Sequence, residues 1–242
     1  AIKAGEVGIG ARALAAGGTV TIVNTDSVEV SGNTGISGGT TDGLVSITNS
    51  GQINGTAFSA TGDEGIVAQS TTGQILINNS GQIGAAGAGN GLDVFGISAD
   101  STGANTAGIT VNNSGDIFVD NGGTAGIFAS NAGTGDVTVN NSGVIDPPAF
   151  GILMVGGGNV TANTSGNVSG DTGIQVNSFG GSAFTAAVNV TKGATVTGTN
   201  GHGIEVLGPA GANAKVDVTA GGAITGTGAG FDGIRAIAGG NV

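Results

Sequence analysis

The chain has 242 residues, of which 53 are Gly, and only 9% are charged and 3% aromatic. This composition excludes an ordinary mixed globular core, while the 38% of hydrophobic residues excludes an intrinsically disordered chain. The net charge of −11, from 16 acidic and 5 basic residues, argues against nucleic acid and anionic membrane surfaces as partners, and the absence of Cys excludes disulfides and thiolate metal sites.

The dipeptide Gly-Ile recurs along the whole chain and reveals an internal repeat of 22 to 31 residues. Each copy opens a segment of alternating apolar residues, as in Ile66 and Ala68, which predicts a strand with one buried face. We expect the isoleucines of these dipeptides to form one inward column, namely Ile9, Ile36, Ile66, Ile97, Ile127, Ile152, Ile174, Ile204 and Ile234.

Two more short segments follow in each repeat. A second alternating segment, such as Ile75 and Ile77, comes after a Gly-rich turn, and a third is marked by one apolar residue, such as Ile83. Three strands in so short a repeat leave no room for a helix, so each repeat closes on itself as one coil. The sequence predicts an all-β fold over residues 1–242, a single-stranded right-handed parallel β-helix, or solenoid, of about eight three-strand rungs.

A corner motif, Asn-Ser-Gly, follows the second segment in four repeats. Its asparagines fall at equivalent positions and should stack as an amide ladder that Asn24 begins: Asn24, Asn49, Asn79, Asn113 and Asn141. We expect its glycines to supply positive φ angles. Counting residues assigns the next three positions to Thr164, Lys192 and Ala220, which predicts that the ladder ends there and that the C-terminal rungs are looser.

The few ionisable side chains are the candidates for catalysis or metal binding. The carboxylates Asp63, Glu64, Asp171, Glu205 and Asp232 lie near Gly-Ile starts, and three of them, Asp63, Asp171 and Asp232, could line one edge. We interpret them as solvated corner residues that keep the rod soluble. His202 occupies a variable position, which indicates an exposed corner without local metal-binding partners. We therefore predict no catalytic residues, no metal site and no cofactor.

The longest departures from the repeat are four loops. Insertions in a solenoid tend to collect on its binding face, so we expect any receptor contact at these loops, which cover residues 56–63, 85–94, 100–107 and 179–186.

The pattern Gly-Ile-x-Ala, a Gly-rich turn and Val-x-Val-x-Asn-Ser-Gly-x-Ile resembles the passenger repeats of bacterial autotransporter-type and related β-helical adhesins. The resemblance covers essentially the whole chain. It implies export across a Gram-negative envelope and display at the bacterial cell surface, either anchored at the outer membrane or released. We accordingly expect these residues to be a fragment of a longer surface protein.

Three functions follow as hypotheses. The first is a secreted, non-catalytic, structural or adhesive surface rod, whose partners are further β-helix rungs, copies of itself, or a host or cell-surface receptor or polysaccharide. The second is an extracellular filament subunit that stacks end to end, because Val242 followed by residues 1–7 resembles residues 216–224. The third is a polysaccharide-active enzyme. Since no apolar run reaches roughly 18 residues, the segment is not expected to be embedded in a membrane.

Overall fold

Parallel strands stack into three sheets that run along one axis, and the predicted all-β solenoid is confirmed. It is of right-handed type and has about seven turns, close to the eight rungs predicted from the repeat. The described residues contain no helix. The computed structural model describes residues 2–4, 7–55, 63–86, 92–120, 122–181, 184–191, 193–209, 213–218, 222–239 and 241–242.

The strands are numbered β1 to β25 in chain order. Sheet I contains the Gly-Ile strands β2 (Val7–Ala13), β5 (Thr34–Thr40), β8 (Glu64–Ser70), β10 (Phe95–Ser101), β13 (Ala125–Asn131), β16 (Phe150–Gly156), β19 (Thr172–Ser178), β22 (Ile204–Leu207) and β25 (Ile234–Ile237). Sheet II contains the second strand of each rung: β3 (Val20–Asn24), β6 (Val45–Asn49), β9 (Ile75–Asn79), β11 (Ile109–Asn113), β14 (Val137–Asn141), β17 (Val160–Thr164), β20 (Thr185–Val190) and β23 (Asn213–Val218).

Sheet III is built from the short third strands and has two parts. The first part is β1 (Ile2–Ala4), β4 (Val28–Val30) and β7 (Ile53–Gly55), and the second is β12 (Ile117–Phe118), β15 (Ile145–Asp146), β18 (Val168–Gly170), β21 (Thr195–Gly198) and β24 (Ala223–Gly226). Single parallel bridges from Ile53 to Ile83 and from Ile83 to Ile117 connect the two parts. All three sheets therefore continue along the same column.

The register places equivalent residues of successive repeats directly over one another. In sheet I, Ile66 pairs with Ile97, and Ile97 pairs with Ile127. Their side chains fill a narrow apolar core together with the inward residues of the other two sheets. Ile36 to Ile204 of the isoleucine column are fully buried, whereas Ile234 is 42% exposed because β25 pairs only with β22.

Close approach between rungs explains why Gly recurs at two positions of the repeat. A Cβ atom on Gly126, in a Gly-Ile dipeptide, would lie 2.3 Å from Cγ2 of Ile145 in sheet III. A Cβ atom on Gly115, in an Asn-Ser-Gly corner, would lie 2.0 Å from the carbonyl oxygen of Gly81. Neither glycine has a positive φ, so the expectation for the corner glycines is wrong at Gly115: the missing side chain, rather than backbone freedom, is what the stack requires there.

Candidate functional site

The asparagines of the corner motif form a continuous chain of hydrogen bonds, here named the inner ladder. Each Nδ2 donates to Oδ1 of the next asparagine: Asn24 to Asn49 at 2.7 Å, Asn49 to Asn79 at 2.7 Å, Asn79 to Asn113 at 2.8 Å and Asn113 to Asn141 at 2.8 Å. Each Nδ2 also donates to the carbonyl oxygen two residues later, as from Asn113 to Gly115 at 2.8 Å. Because all five side chains are buried, the inner ladder holds the corner of each rung and has no N–H left for a ligand.

The inner ladder ends at Thr164, whose hydroxyl accepts a hydrogen bond from Asn141 at 3.3 Å. The residues that continue the register are Val190 and Val218, not Lys192 and Ala220, so the sequence assignment is wrong there. Lys192 and Ala220 lie outside the described residues. The register is set by the pairing of the alternating apolar residues of β20 with those of β17. Counting residues from the start of the repeat does not reproduce this register.

A second column of asparagines lies on the outer face of sheet II and is named here the outer ladder. Its hydrogen bonds run in the opposite direction, from Asn112 to Asn78 at 2.8 Å, Asn140 to Asn112 at 2.8 Å, Asn163 to Asn140 at 2.8 Å and Asn189 to Asn163 at 2.7 Å. Sequence reasoning missed this column. The signal was the Asn-Asn pair in three repeats, since adjacent residues of a strand point to opposite faces of the sheet.

An open groove of about 430 Å³, named here the amide groove, runs beside the outer ladder. Thr48 and the outer-ladder residues Asn78, Asn112, Asn140 and Asn163 line it, together with Asn79, Asn113, Asn141 and Thr164 of the corners. The hydroxyl residues that follow five strands of sheet II also line it: Ser80, Ser114, Ser142, Ser165 and Thr191. These hydroxyl residues are exposed, and Ser80, Ser114 and Ser142 each follow an inner-ladder asparagine at the corner. The lining consists entirely of Asn, Ser and Thr, so the amide groove carries hydrogen-bonding groups and no charge.

A second groove, also of about 430 Å³, lies over sheet III and is acidic. Asp120, Asp146 and Asp171 all line it, together with Phe118. The Asp171 carboxylate accepts a hydrogen bond from Nδ2 of Asn200 at 2.8 Å. The structure thus groups Asp171 with two carboxylates that sequence reasoning had not selected.

Asp63, in contrast, is not a solvated corner residue, and that expectation is wrong. Its side chain is 1% exposed, and Oδ1 accepts the backbone N–H of Asn33 at 3.0 Å. Oδ2 is buried without a hydrogen-bond partner among the described residues. Burial, with a smaller contribution from the negative charge of Asp93, raises the pKa of Asp63 to about 6.

The other carboxylates selected from the sequence differ from Asp63 in their surroundings. Glu64 is half-buried, and burial raises the pKa of its carboxyl group, while a hydrogen bond from Thr34 acts in the opposite direction. Asp171 and Asp232 are exposed, as expected from the sequence. Asp63, Asp171 and Asp232 therefore do not form one solvated edge.

His202 was expected at an exposed corner, but it is only 9% exposed. Its Nδ1 accepts the backbone N–H of Asp232 at 3.0 Å, and its ring packs edge-on against Phe231 with centroids 5.4 Å apart. Both partners come from the next rung, about thirty residues further along the chain. A search for partners near His202 in the sequence could not find them.

Glu205 was likewise expected to be solvated and is 9% exposed. One carboxylate oxygen accepts a hydrogen bond from Nη1 of Arg235 at 2.6 Å, and the other accepts one from Nε2 of Gln175 at 2.9 Å. His202 Nε2 lies 3.9 Å from Glu205. This small cluster links three successive rungs of sheet I, and its groups partner one another.

No group of three or more His, Asp or Glu side chains in the described part of the chain is arranged to hold a metal ion. The same residues form no helix that is long and apolar enough to cross a bilayer. Of the loops expected to contact a receptor, residues 56–62, 87–91 and 182–183 lie outside the described residues, and that expectation stays a prediction.

Comparison of the chain with protein-family models, with curated proteins and with solved structures finds no match in any of the three.

Proposed function

We propose that this chain is a non-catalytic structural and adhesive rod that is displayed at the bacterial surface, either anchored there or released. The observation that carries the proposal is the unbroken stacking of the rungs, which two hydrogen-bonded asparagine ladders reinforce on opposite faces of sheet II. Such a stack holds its outer face rigid over many rungs, which suits repeated weak contacts with an extended partner. The resemblance to autotransporter-type passenger repeats supports the same proposal.

The adhesive role can be tested by attaching the chain to beads and measuring their retention under flow. The target surfaces would be abiotic, coated with uncharged polysaccharide, or covered with bacterial cells. We expect beads that carry the chain to be retained on at least one of these surfaces, and small-angle scattering of the free chain to show an elongated particle. Retention no greater than that of bare beads on every surface would remove the adhesive half of the proposal and leave the structural half.

A polysaccharide-active enzyme is the second candidate, and the acidic groove favours it. Glycoside hydrolysis requires two carboxyl groups on either side of the scissile bond, and Asp120, Asp146 and Asp171 line one groove. Incubation with neutral and acidic polysaccharides, followed by detection of new reducing ends, tests this candidate. Turnover that Asp171→Asn abolishes would replace the rod proposal with an enzyme.

A filament subunit is the remaining candidate. The end strands of the described stack carry exposed apolar residues, with Val7 45% exposed on β2 and Ile237 45% exposed on β25. Stacking of copies end to end would cover both. Electron microscopy over a range of protein concentrations distinguishes filaments from isolated short rods, and isolated rods at all concentrations would count against this candidate.

A further inference from the structure

We infer that the amide groove binds a single strand of an uncharged, extended polysaccharide that lies parallel to the solenoid axis. This inference rests on the proposed adhesive function and names its ligand class. It also moves the expected contact away from the loops that the sequence suggested, to a regular face of the solenoid.

The hydrogen-bonding capacity of the outer ladder is the first argument. Asn112 donates one N–H to Asn78 at 2.8 Å, and its Oδ1 accepts one from Asn140 at 2.8 Å. A primary amide has two N–H groups and two acceptor lone pairs, so one of each is left by the ladder. Asn112 is only half-buried, so a ligand can reach part of its side chain.

The ladder also fixes the orientation of these amides before any ligand binds. Asn112 and Asn140 are each held by the asparagine below and the asparagine above. Side chains that are already ordered lose little conformational entropy on binding, so weak hydrogen bonds to a ligand contribute more to affinity. Ser114 and Ser142 line the same groove and add hydroxyl groups to it.

The spacing of the groove selects the kind of chain that fits. One amide and one hydroxyl recur per rung, at about 4.8 Å. The sugars of an extended polysaccharide present their hydroxyl groups at a comparable spacing. An extended peptide advances only about 3.3 Å per residue and would fall out of step within a few rungs. The neighbouring strands β11 and β14 are paired on both sides, so they offer no free edge for an added peptide strand.

The absence of charge in the amide groove favours neutral polysaccharides over anionic ones. All the residues that line the groove are neutral, and the net charge of −11 repels anionic sugars at long range. No aromatic ring lines the groove, so affinity has to come from hydrogen bonds to several sugars at once. The groove extends over β6, β9, β11, β14, β17 and β20, which is about 24 Å at about 4.8 Å per rung, and affinity should rise with oligosaccharide length up to that span.

Calorimetric titration of the full chain with cellohexaose, with the hexamer of β-1,4-linked N-acetylglucosamine, and with hexagalacturonate tests the inference. We expect at least one neutral hexamer to bind, its shorter homologues to bind more weakly, and hexagalacturonate to bind least. The variant Asn112→Ala/Asn140→Ala should bind the neutral hexamer at least about tenfold more weakly, because up to two pairs of ligand hydrogen bonds are lost.

The matched control is Thr110→Ala/Thr138→Ala, which changes the same two strands and the same outer face but lies outside the amide groove. It should bind like the unchanged chain. If the asparagine variant is destabilised in thermal unfolding, Ser114→Ala/Ser142→Ala replaces it, because these exposed hydroxyls make only long contacts, of 3.4 and 3.5 Å, to the backbone.

Three results would overturn the inference: no neutral hexamer binds, hexagalacturonate binds more tightly than both, or the threonine variant loses as much affinity as the asparagine variant. Bead retention distinguishes failure of this inference from failure of the proposed adhesive function. Coated beads that adhere without oligosaccharide binding show that only the ligand class is wrong. Oligosaccharide binding by beads that do not adhere shows that the adhesive function is wrong.

Discussion

Neighbouring residues of the same type have different roles in this chain, and Asn112 and Asn113 show this most directly. Asn113 points inward, is buried and belongs to the inner ladder, whereas Asn112 points outward and is half-buried. The energetic consequence of losing an amide depends on whether water can replace it, since an unsatisfied buried polar group is far more costly than an exposed one.

Asn113→Ala should therefore be strongly destabilising. It leaves the buried Asn141 Oδ1 and the Gly115 carbonyl oxygen without the hydrogen bonds that Asn113 donates, and at about 1 to 3 kcal/mol for each group the expected loss is about 3 kcal/mol. Asn112→Ala should cost less than about 1 kcal/mol because water reaches this side chain. Urea unfolding of both variants measures the difference, and equal losses would show that the inner ladder does not hold the corners.

Asp63 makes the stability of the protein depend on pH. Its pKa is about 6 in the folded chain and 3.8 for an ordinary Asp, so between these values the unfolded chain has lost a proton that the folded chain retains. Stability should thus fall as the pH rises from 3.8 to about 6, by up to about 3 kcal/mol, and should not fall further on this account above that range.

Asp63→Asn should remove this fall and stabilise the protein at neutral pH, since an amide has no charge to desolvate and still offers an oxygen to the Asn33 N–H. Thermal unfolding between about pH 3.5 and 8, a range that includes the folded and the ordinary pKa of Asp63, measures this fall in stability. Asp232→Asn removes an exposed carboxylate as the control and should keep the fall. A variant profile that matches the unchanged chain would mean that Asp63 is not the group responsible.

At the scale of the strand and its corner, the repeat is limited by how closely neighbouring rungs approach. Small residues are required where backbone meets backbone, and they are optional where a strand faces open space. Gly115 and Gly39 illustrate the two situations: a Cβ on Gly115 would lie 2.0 Å from a backbone oxygen, whereas the nearest atoms to a Cβ on Gly39 are 3.8 Å away.

Gly115→Ala should consequently disrupt the stack locally and cost about 3 kcal/mol or more, because a backbone oxygen cannot move aside as a side chain can. Gly39→Ala, at the next-to-last residue of β5, should be neutral or slightly stabilising, since alanine restricts the unfolded chain. Hydrogen exchange of the amides next to each site, together with melting temperature, reports the effect. Comparable destabilisation by both variants would contradict the close-approach explanation.

For the molecule as a whole, stability should behave as a sum over rungs and their interfaces. This follows from a topology in which each strand pairs only with its counterparts in the rungs below and above. Rungs are then interchangeable units, provided that a cut preserves the register of all three sheets.

Deletion of residues 114–141 tests this behaviour, because Asn113 and Asn141 are 28 residues apart and occupy equivalent positions. The junction restores an Asn-Ser-Gly corner, so the shortened chain should fold, keep its circular dichroism spectrum, be less stable, and be shorter by about 4.8 Å in scattering. Deletion of residues 114–127 removes only part of a coil and should prevent cooperative folding. Loss of folding in both deletions would contradict independent rungs.

The sequence by itself determined the architecture, because a solenoid repeats the same local requirements in every rung. Alternating apolar residues define the strands, Gly marks the close approaches, and the stacking of Ile66, Ile97 and Ile127 follows from the recurrence of the Gly-Ile dipeptide. The same logic indicated the inner ladder, since its asparagines recur within one motif.

Only the tertiary structure decided which side chains are buried at the corners and what they contact. Asp63, His202 and Glu205 each form hydrogen bonds with groups about thirty residues away in the chain, and the local sequence does not identify those partners. The amide groove likewise exists only when the outer sides of six strands lie in register. Burial and hydrogen bonding depend on what is stacked above and below a residue, and in a degenerate repeat those neighbours differ from one rung to the next.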